Sequence, residues 1–317
     1  MKLFGLNQTR AFAERLAAEL RVPLAPHEER DFEDGEFKIR PLDSVLHERV
    51  FVCQSLAADR VDSINDKLVR LLVCCGALKD AGAAEVTAIV PYLAYARKDK
   101  RSKPGDPVTT SYVARMLEAV GVDGVVTIDV HNVASFENAF RCHKENLEAA
   151  ESFAAHFAPQ VGSAGRVVAL SPDAGGVGRM RVFAAALGAH LGRSVDLAFL
   201  EKQRSEGHVS GALFAGDVRD ALVVIYDDMI STGGTIARAA VACAERGARV
   251  VHAAATHALL AGDAVRTLNG APVESLVVMN TVPRMDERAA GLRADWHVLD
   301  CASLFARAIE RRSGEVA

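Results

Sequence analysis

Short runs of branched apolar residues alternate along this chain with longer Ala/Leu-rich stretches whose apolar positions recur every three or four residues. The first pattern is that of buried strands and the second that of amphipathic helices. Their alternation predicts parallel strands joined by crossover helices, an α/β fold. Strands are predicted over 2–6, 50–54, 86–91, 124–129, 167–171, 195–201, 222–226, 250–255, 275–279 and 296–299, and helices over 10–20, 64–81, 110–119, 177–191 and 235–246.

The turn-rich stretch APQVGSAGR, residues 158–166, separates two portions of similar length. It sets an expected division into lobes of 1–149 and 150–317. The lobes share a pattern: VFVCQSL, VTAIVPYLAYARKD and VVTIDVHN in the first correspond in order to VVALSPDAGG, VDLAFLEKQR and VVIYDDMISTGG in the second. A duplication accounts for this, although shared strand and helix order alone produces part of it.

With 317 residues, half of them hydrophobic, the chain is long enough for two cores. A net charge of −4 leaves no general basic field, so nucleic acid is not an expected partner. No window reaches the roughly 20 apolar residues of a membrane span, and the opening residues lack the apolar stretch of a signal peptide. A cytoplasmic, membrane-free protein is expected. The six cysteines have no CxxC spacing and mostly sit in apolar runs, which suits core residues better than metal ligands or disulfides.

The strongest chemical signal is LVVIYDDMISTGGT, residues 222–235. An apolar strand leads to Asp227 and Asp228, then to a turn that opens an Ala-rich helix. Gly233 and Gly234 let the backbone approach an anion, the helix start supplies unpaired N–H groups, and Ser231, Thr232 and Thr235 add hydroxyl donors. The two carboxylates can accept hydrogen bonds from vicinal sugar hydroxyls, so the ensemble suits a sugar phosphate. A capped helix after a glycine turn would use similar residues, but the acidic pair favours the anion site. The absence of GK[ST] after the glycines argues against a Walker loop.

The acidic pair and S-T-G-G-T turn resemble the loop of the phosphoribosyltransferase-type fold, which recognises ribose 5-phosphate. Four further segments, with a Lys/Arg loop, resemble the ribose-phosphate diphosphokinases. LSPDAGGVGRMR, residues 170–181, is similar to that family's S-P-D-x-G-G motif and makes Asp173 a Mg2+ ligand. DFEDGEF, residues 31–37, is similar to its F-x-D-G-E segment, so Phe32, Asp34, Gly35 and Glu36 inherit ATP contacts made to a neighbouring subunit. YARKDKR, residues 95–101, resembles Y-A-R-Q-D-R and brings Arg97 and Lys98 to the nucleotide. IDVHN, residues 128–132, resembles D-L-H and makes His131 a second metal ligand. LEKQRSEGHVS, residues 200–210, resembles the flexible catalytic loop, with Lys202 and Arg204 as its cationic pair.

The resemblance spans nearly the whole chain. It implies two tandem phosphoribosyltransferase-type lobes, each a mostly parallel sheet flanked by helices, assembled as a dimer or hexamer. The implied reaction moves pyrophosphate from Mg-ATP to the anomeric hydroxyl of ribose 5-phosphate for nucleotide biosynthesis. Lys98, Ala174, Gln203 and Ser231 depart from the family pattern. A non-catalytic regulatory relative and a phosphoribosyltransferase are the alternatives.

Overall fold

The computed structural model describes residues 1–162, 165–205 and 208–314, without the side chains of 202–205 and 208–212. It divides into two compact units. The first holds Met1–Leu147, Thr281–Pro283 and the segment from Asp300 onward; the second holds Glu148–Asn280 and Arg284–Leu299.

In the first unit the elements are β1 (Lys2–Gly5), α1 (Arg10–Leu20), β2 (His27–Asp31), β3 (Phe37–Pro41), β4 (Arg49–Cys53), α2 (Ile64–Asp80), β5 (Glu85–Ile89), α3 (Thr109–Ala119), β6 (Gly124–Ile128), α4 (Val133–Ala139) and β7 (His143–Leu147). The sheet is parallel throughout, in the order β1-β4-β5-β6-β7. β2 and β3 form a separate antiparallel hairpin. Strands β4 to β6 bury nearly every residue, as expected where helices cover both faces of a parallel sheet.

The second unit continues with α5 (Ala150–Val161), β8 (Val167–Ser171), α6 (Val177–Leu191), β9 (Asp196–Ser205), β10 (His208–Ala215), β11 (Leu222–Ile230), α7 (Gly234–Glu245), β12 (Val250–Ala258), α8 (Ala264–Asn269), β13 (Ser275–Met279), α9 (Met285–Arg288) and β14 (Asp295–Leu299). Its strand order is β10-β9-β8-β11-β12-β13-β14, parallel except for β10. From β8 the chain adds β9 on one side and β11 on the other. The strand order therefore reverses between β8 and β11, the position where open α/β sheets leave a crevice at their carboxyl ends.

The last helix, α10 (Ala302–Ser313), belongs to the first unit, so residues from 300 on do not follow the sequence-based division. The cause is burial and pairing at long sequence separation. Phe305 packs edge-on against Phe12 of α1 with ring centroids 5.6 Å apart, Arg312 Nε donates to Thr87 Oγ1 at 3.0 Å, and the Arg312 guanidinium pairs with Glu85. None of these partners is visible in the local pattern near residue 300.

The repeat is real but offset from the pattern-based pairing. Each unit runs strand, helix, antiparallel hairpin, then strand and helix in alternation, so β1 corresponds to β8 and the β2–β3 hairpin to β9–β10. Accordingly VFVCQSL answers the strand that carries the acidic pair, and not VVALSPDAGG. Similar apolar runs cannot fix such a register, whereas the position of the hairpin does.

Candidate functional site

The acidic pair lies within a strand and not beyond one. β11 continues to Ile230 because its far half pairs with β12, from Asp227 opposite Ala255 to Ile230 opposite Ala258. On the other side β8 stops pairing at Ile225 opposite Leu170. The carboxyl end of β11 therefore has one open flank at the reversal point, and Asp227 and Asp228 sit there, 8% and 3% exposed.

Two buried neighbouring carboxylates need compensation. Burial, with the adjacent Asp228 charge, pushes the Asp227 carboxyl well above the usual range, and Asp173 acts in the same direction. Arg179, on the first turn of α6, opposes them: its Nη1 lies 3.2 Å from Asp228 Oδ1 and 3.6 Å from Asp227 Oδ1. The Asp228 N–H also donates to Asp227 Oδ1 at 2.9 Å. Asp173 follows β8 and accepts the Gly176 N–H through Oδ1 at 3.0 Å. The structure thus gathers Asp173, Asp227 and Asp228 around Arg179, a residue that the sequence reading quoted within its motif but did not single out.

Past the pair, Ser231 to Thr235 turn the chain into α7. Gly233 is the N-cap with φ +75°, and a Cβ there would lie 2.9 Å from Leu268 Cγ and 3.2 Å from the Ala264 carbonyl oxygen. Glycine is required for both reasons. The turn is anchored by the Ala261 N–H, which donates to the Ser231 carbonyl at 2.9 Å. Thr232 is exposed, Ser231, Gly234 and Thr235 are half-buried, and the start of α7 has the unpaired N–H groups of any helix N-terminus.

In the first unit Phe32, Asp34, Gly35 and Glu36 form the tip of the β2–β3 hairpin. The Phe32 N–H donates to the Glu36 carbonyl at 2.8 Å, the Gly35 N–H to the Phe32 carbonyl at 3.1 Å, and the Glu36 N–H to Asp34 Oδ1 at 3.1 Å. The Phe32 ring is exposed, with the Arg30 guanidinium 5.2 Å from its centroid. The hairpin is held to α2 by Arg70, which lies 4.6 Å from the Phe37 ring centroid, bonds Asp31 at 2.5 Å, and faces Asp62 and Glu29 at 3.5 and 3.9 Å.

The loops after β5 and β6 each contain a non-glycine residue in the left-handed region, Tyr95 at φ +63° and Asp129 at φ +42°. Such strain concentrates where a loop is over-determined for a task. Asn132 joins the loops: its Oδ1 accepts the Ser135 N–H at 3.0 Å, capping α4, and its Nδ2 donates to Asp99 Oδ2 at 2.6 Å. Arg97 and His131 are exposed. Lys98, by contrast, reaches back to Asp106 Oδ2 at 2.7 Å, which draws that carboxyl below its ordinary range. Its ammonium serves the loop's own turn.

The expected catalytic loop is largely strand in its backbone, since β9 runs through Ser205 and pairs with β10. The Lys202 and Arg204 side chains lie outside the described residues. Among the described residues no group of three or more His, Cys, Asp or Glu is arranged to hold a metal, and His131 and Asp173 fall in different units. Few protein ligands suit Mg2+ bound chiefly through phosphate oxygens and water, so an exposed imidazole and a half-buried carboxylate are compatible with that mode.

Two α/β units on one element plan, one of them with a buried acidic pair and a glycine turn at its sheet reversal, have the architecture of the phosphoribosyltransferase type. Comparison with known proteins narrows the class. The N-terminal domain of ribose phosphate pyrophosphokinase matches residues 1–121, and the phosphoribosyl synthetase-associated domain matches residues 208–315. Ribose-phosphate pyrophosphokinase of Haemophilus ducreyi is 36% identical over 317 residues, covering 99% of this chain and 96% of the relative. That of Caldanaerobacter subterraneus subsp. tengcongensis is 35% identical over 313 residues, covering 98% and 94%. The crystal structure of phosphoribosylpyrophosphate synthetase from Mycobacterium smegmatis superposes with a TM-score of 0.89 at 31% identity, covering 99% of both chains. This chain belongs to the ribose-phosphate pyrophosphokinase family and is an enzyme of that activity.

Proposed function

We propose that the second unit holds ribose 5-phosphate with its 5-phosphate on the Ser231–Thr235 turn and its ribose hydroxyls on Asp227 and Asp228. The observation that carries this reading is the buried acidic pair one turn upstream of the Gly233 N-cap, at the strand reversal. Backbone N–H groups and hydroxyls satisfy the phosphate, and carboxylates accept from the sugar.

The anomeric hydroxyl oxygen then attacks the β-phosphorus of ATP and gives up its proton to solvent; the bond between that phosphorus and the α,β-bridging oxygen breaks, and AMP leaves with the bridging oxygen. Phe32, Asp34, Gly35 and Glu36 receive adenine and ribose from a neighbouring subunit, and Arg97 pairs with phosphate oxygens, as the family resemblance implies. Lys98, which pairs with Asp106 in this structure, is the second nucleotide contact that the resemblance implies. Lys202 and Arg204 balance charge at the transferring group; a comparable arginine in other phosphoryl transfers is worth about 10³–10⁵ in rate. His131 and Asp173 would hold Mg2+, which when bound neutralises the polyphosphate. The enzyme works as a homo-oligomer, a dimer or hexamer, in the cytoplasm; no helix among the described residues is long and apolar enough to cross a membrane.

The test is AMP release by the purified chain with Mg-ATP, with and without ribose 5-phosphate, following the phosphorylated product by mass. Stoichiometric AMP and phosphoribosyl pyrophosphate are expected; ribose 5-phosphate binding without turnover would instead identify a non-catalytic relative. Lys202→Ala is expected to lower kcat far more than it raises the ribose 5-phosphate KM, and equal losses would remove the assigned role.

A further inference from the structure

Arg179 stands where local preference disfavours it. It is the third residue of α6, and the N-terminal end of a helix carries a partial positive charge that disfavours cations. Its side chain is only 17% exposed, so it is not placed there for solvation. A residue that conflicts with its local setting is held by something else in the fold. Here that is the acidic pair 49 residues later, reached at 3.2 and 3.6 Å.

The surroundings are shaped for this reach. A Cβ on Gly176 would lie 2.6 Å from Ser171 Oγ, so glycine is needed for the serine to sit here, with Arg179 Nη1 in ordinary contact range at 3.7 Å. Ser171 Oγ in turn donates to the Asp173 carbonyl at 2.7 Å, which fixes the turn from β8 into α6. Asp173, Asp227 and Asp228 together bring three carboxyl groups to one end of a sheet, next to the turn that must accept a phosphate dianion. Left uncompensated, they would repel it and one another. The permanently charged guanidinium faces both acids through Nη1, bonding Asp228 and lying within ion-pair range of Asp227.

We propose that Arg179 is a positioning residue for ribose 5-phosphate: it fixes the orientation of Asp227 and Asp228 and offsets their charge beside the phosphate turn, without touching the reacting atoms. This rests on the reading that the acidic pair binds the ribose. Its effect belongs to sugar binding and not to nucleotide binding or the transfer step.

The experiment is steady-state kinetics of the full-length enzyme bearing Arg179→Met, Arg179→Lys, Asp228→Asn, or Arg179→Met with Asp228→Asn. Arg179→Met is expected to raise the ribose 5-phosphate KM about tenfold or more while the ATP KM stays within about twofold and kcat falls less than the KM rises. Arg179→Lys keeps the charge and is expected to recover most of that loss, which a residue that only fills space would not allow. Because Arg179 acts through the pair, its removal should cost less in the Asp228→Asn background than in the parent. Should Arg179→Met fail to fold, the double variant, which buries one carboxylate fewer beside the missing guanidinium, supplies the comparison with Asp228→Asn. Equal effects on both substrates, an unchanged ribose 5-phosphate KM, no recovery by lysine, or full additivity would overturn the proposal. If Asp228→Asn itself leaves the ribose 5-phosphate KM unchanged, the reading of the acidic pair falls as well, which separates the two failures.

Discussion

Gly233→Ala tests the phosphate turn through two independent costs. The position has φ +75°, and an alanine held in the left-handed region loses roughly 1–2 kcal/mol relative to glycine. Its methyl carbon would also lie 2.9 Å from Leu268 Cγ and 3.2 Å from a backbone oxygen of α8, a contact that must be relieved by moving one element. Overpacking of this kind typically costs about 1–3 kcal/mol. The sum, about 2–5 kcal/mol, corresponds to a fall in Tm of roughly 4–20 °C for a unit of this size. Relief by shifting the turn would displace the N–H groups of α7, so the ribose 5-phosphate KM should rise at least about tenfold. Gly234→Ala is the control: its φ is not positive, and its Cβ would meet the far end of Arg238 at 3.2 Å and Thr232 Oγ1 at an ordinary 3.9 Å, so Tm should move by less than about 2 °C. Thermal unfolding and initial rates on the two variants check this. Equal stability of Gly233→Ala and the parent, with an unchanged ribose 5-phosphate KM, would refute the reasoning.

Lys67 is fully buried and pairs with Asp59 at 2.6 Å while donating to the Ala57 carbonyl at 2.6 Å; Lys67→Met strips the buried Asp59 of this cation, leaving it the Val61 and Asp62 N–H donors, and should cost about 3–5 kcal/mol in urea unfolding. Burial pushes the His252 imidazole below its ordinary pKa, with His156 and His297 acting the same way against Glu274 and Asp295. The folded value lies below the unfolded one, so stability is complete above about pH 6.5 and declines as pH falls below it; His252→Gln should flatten that decline in denaturation curves taken from pH 7 to 5. Burial also raises the thiols, Cys74 and Cys243 to about 12 and the half-buried Cys142 to about 11, so an alkylating reagent at neutral pH should leave activity intact, and mass analysis should find any label on Cys142 alone.

Elements with a continuous buried face were legible before any coordinates. The helices at 10–20 and 177–191 have the predicted bounds because Phe12, Ala13 and Leu16, and Met180, Phe183 and Leu187, recur at helical spacing and each helix ends in a left-handed residue, Arg21 or Gly192. The β2–β3 hairpin was not foreseen: HEERD and FKIRP bury only Ile39, and their fold depends on the 32–36 turn and on Arg70 from α2. β7, HKENL, is an edge strand of similar character. In the site, the acidic pair and glycine turn were legible because they are contiguous. Arg179 was not, because its meaning lies in a partner 49 positions away and only the strand order brings them together.

The two units follow one element plan but use it differently. In the second, the hairpin β9–β10 joins the sheet beside β8, which makes the strand order reverse between β8 and β11, at the end where the acidic pair lies. In the first, the equivalent hairpin β2–β3 stands apart from its sheet, and the strand order β1-β4-β5-β6-β7 does not reverse. The equivalent strand end there is Cys53-Gln54-Ser55, fully buried and hydrogen-bonded within the unit, with Ser55 Oγ donating to the Thr281 carbonyl at 2.6 Å. The hairpin, free of the sheet, exposes the Phe32 ring at its tip. One element plan thereby yields a strand reversal beside a buried acidic pair in one unit and a hairpin with an exposed aromatic tip in the other. The difference turns on whether one hairpin pairs with the sheet.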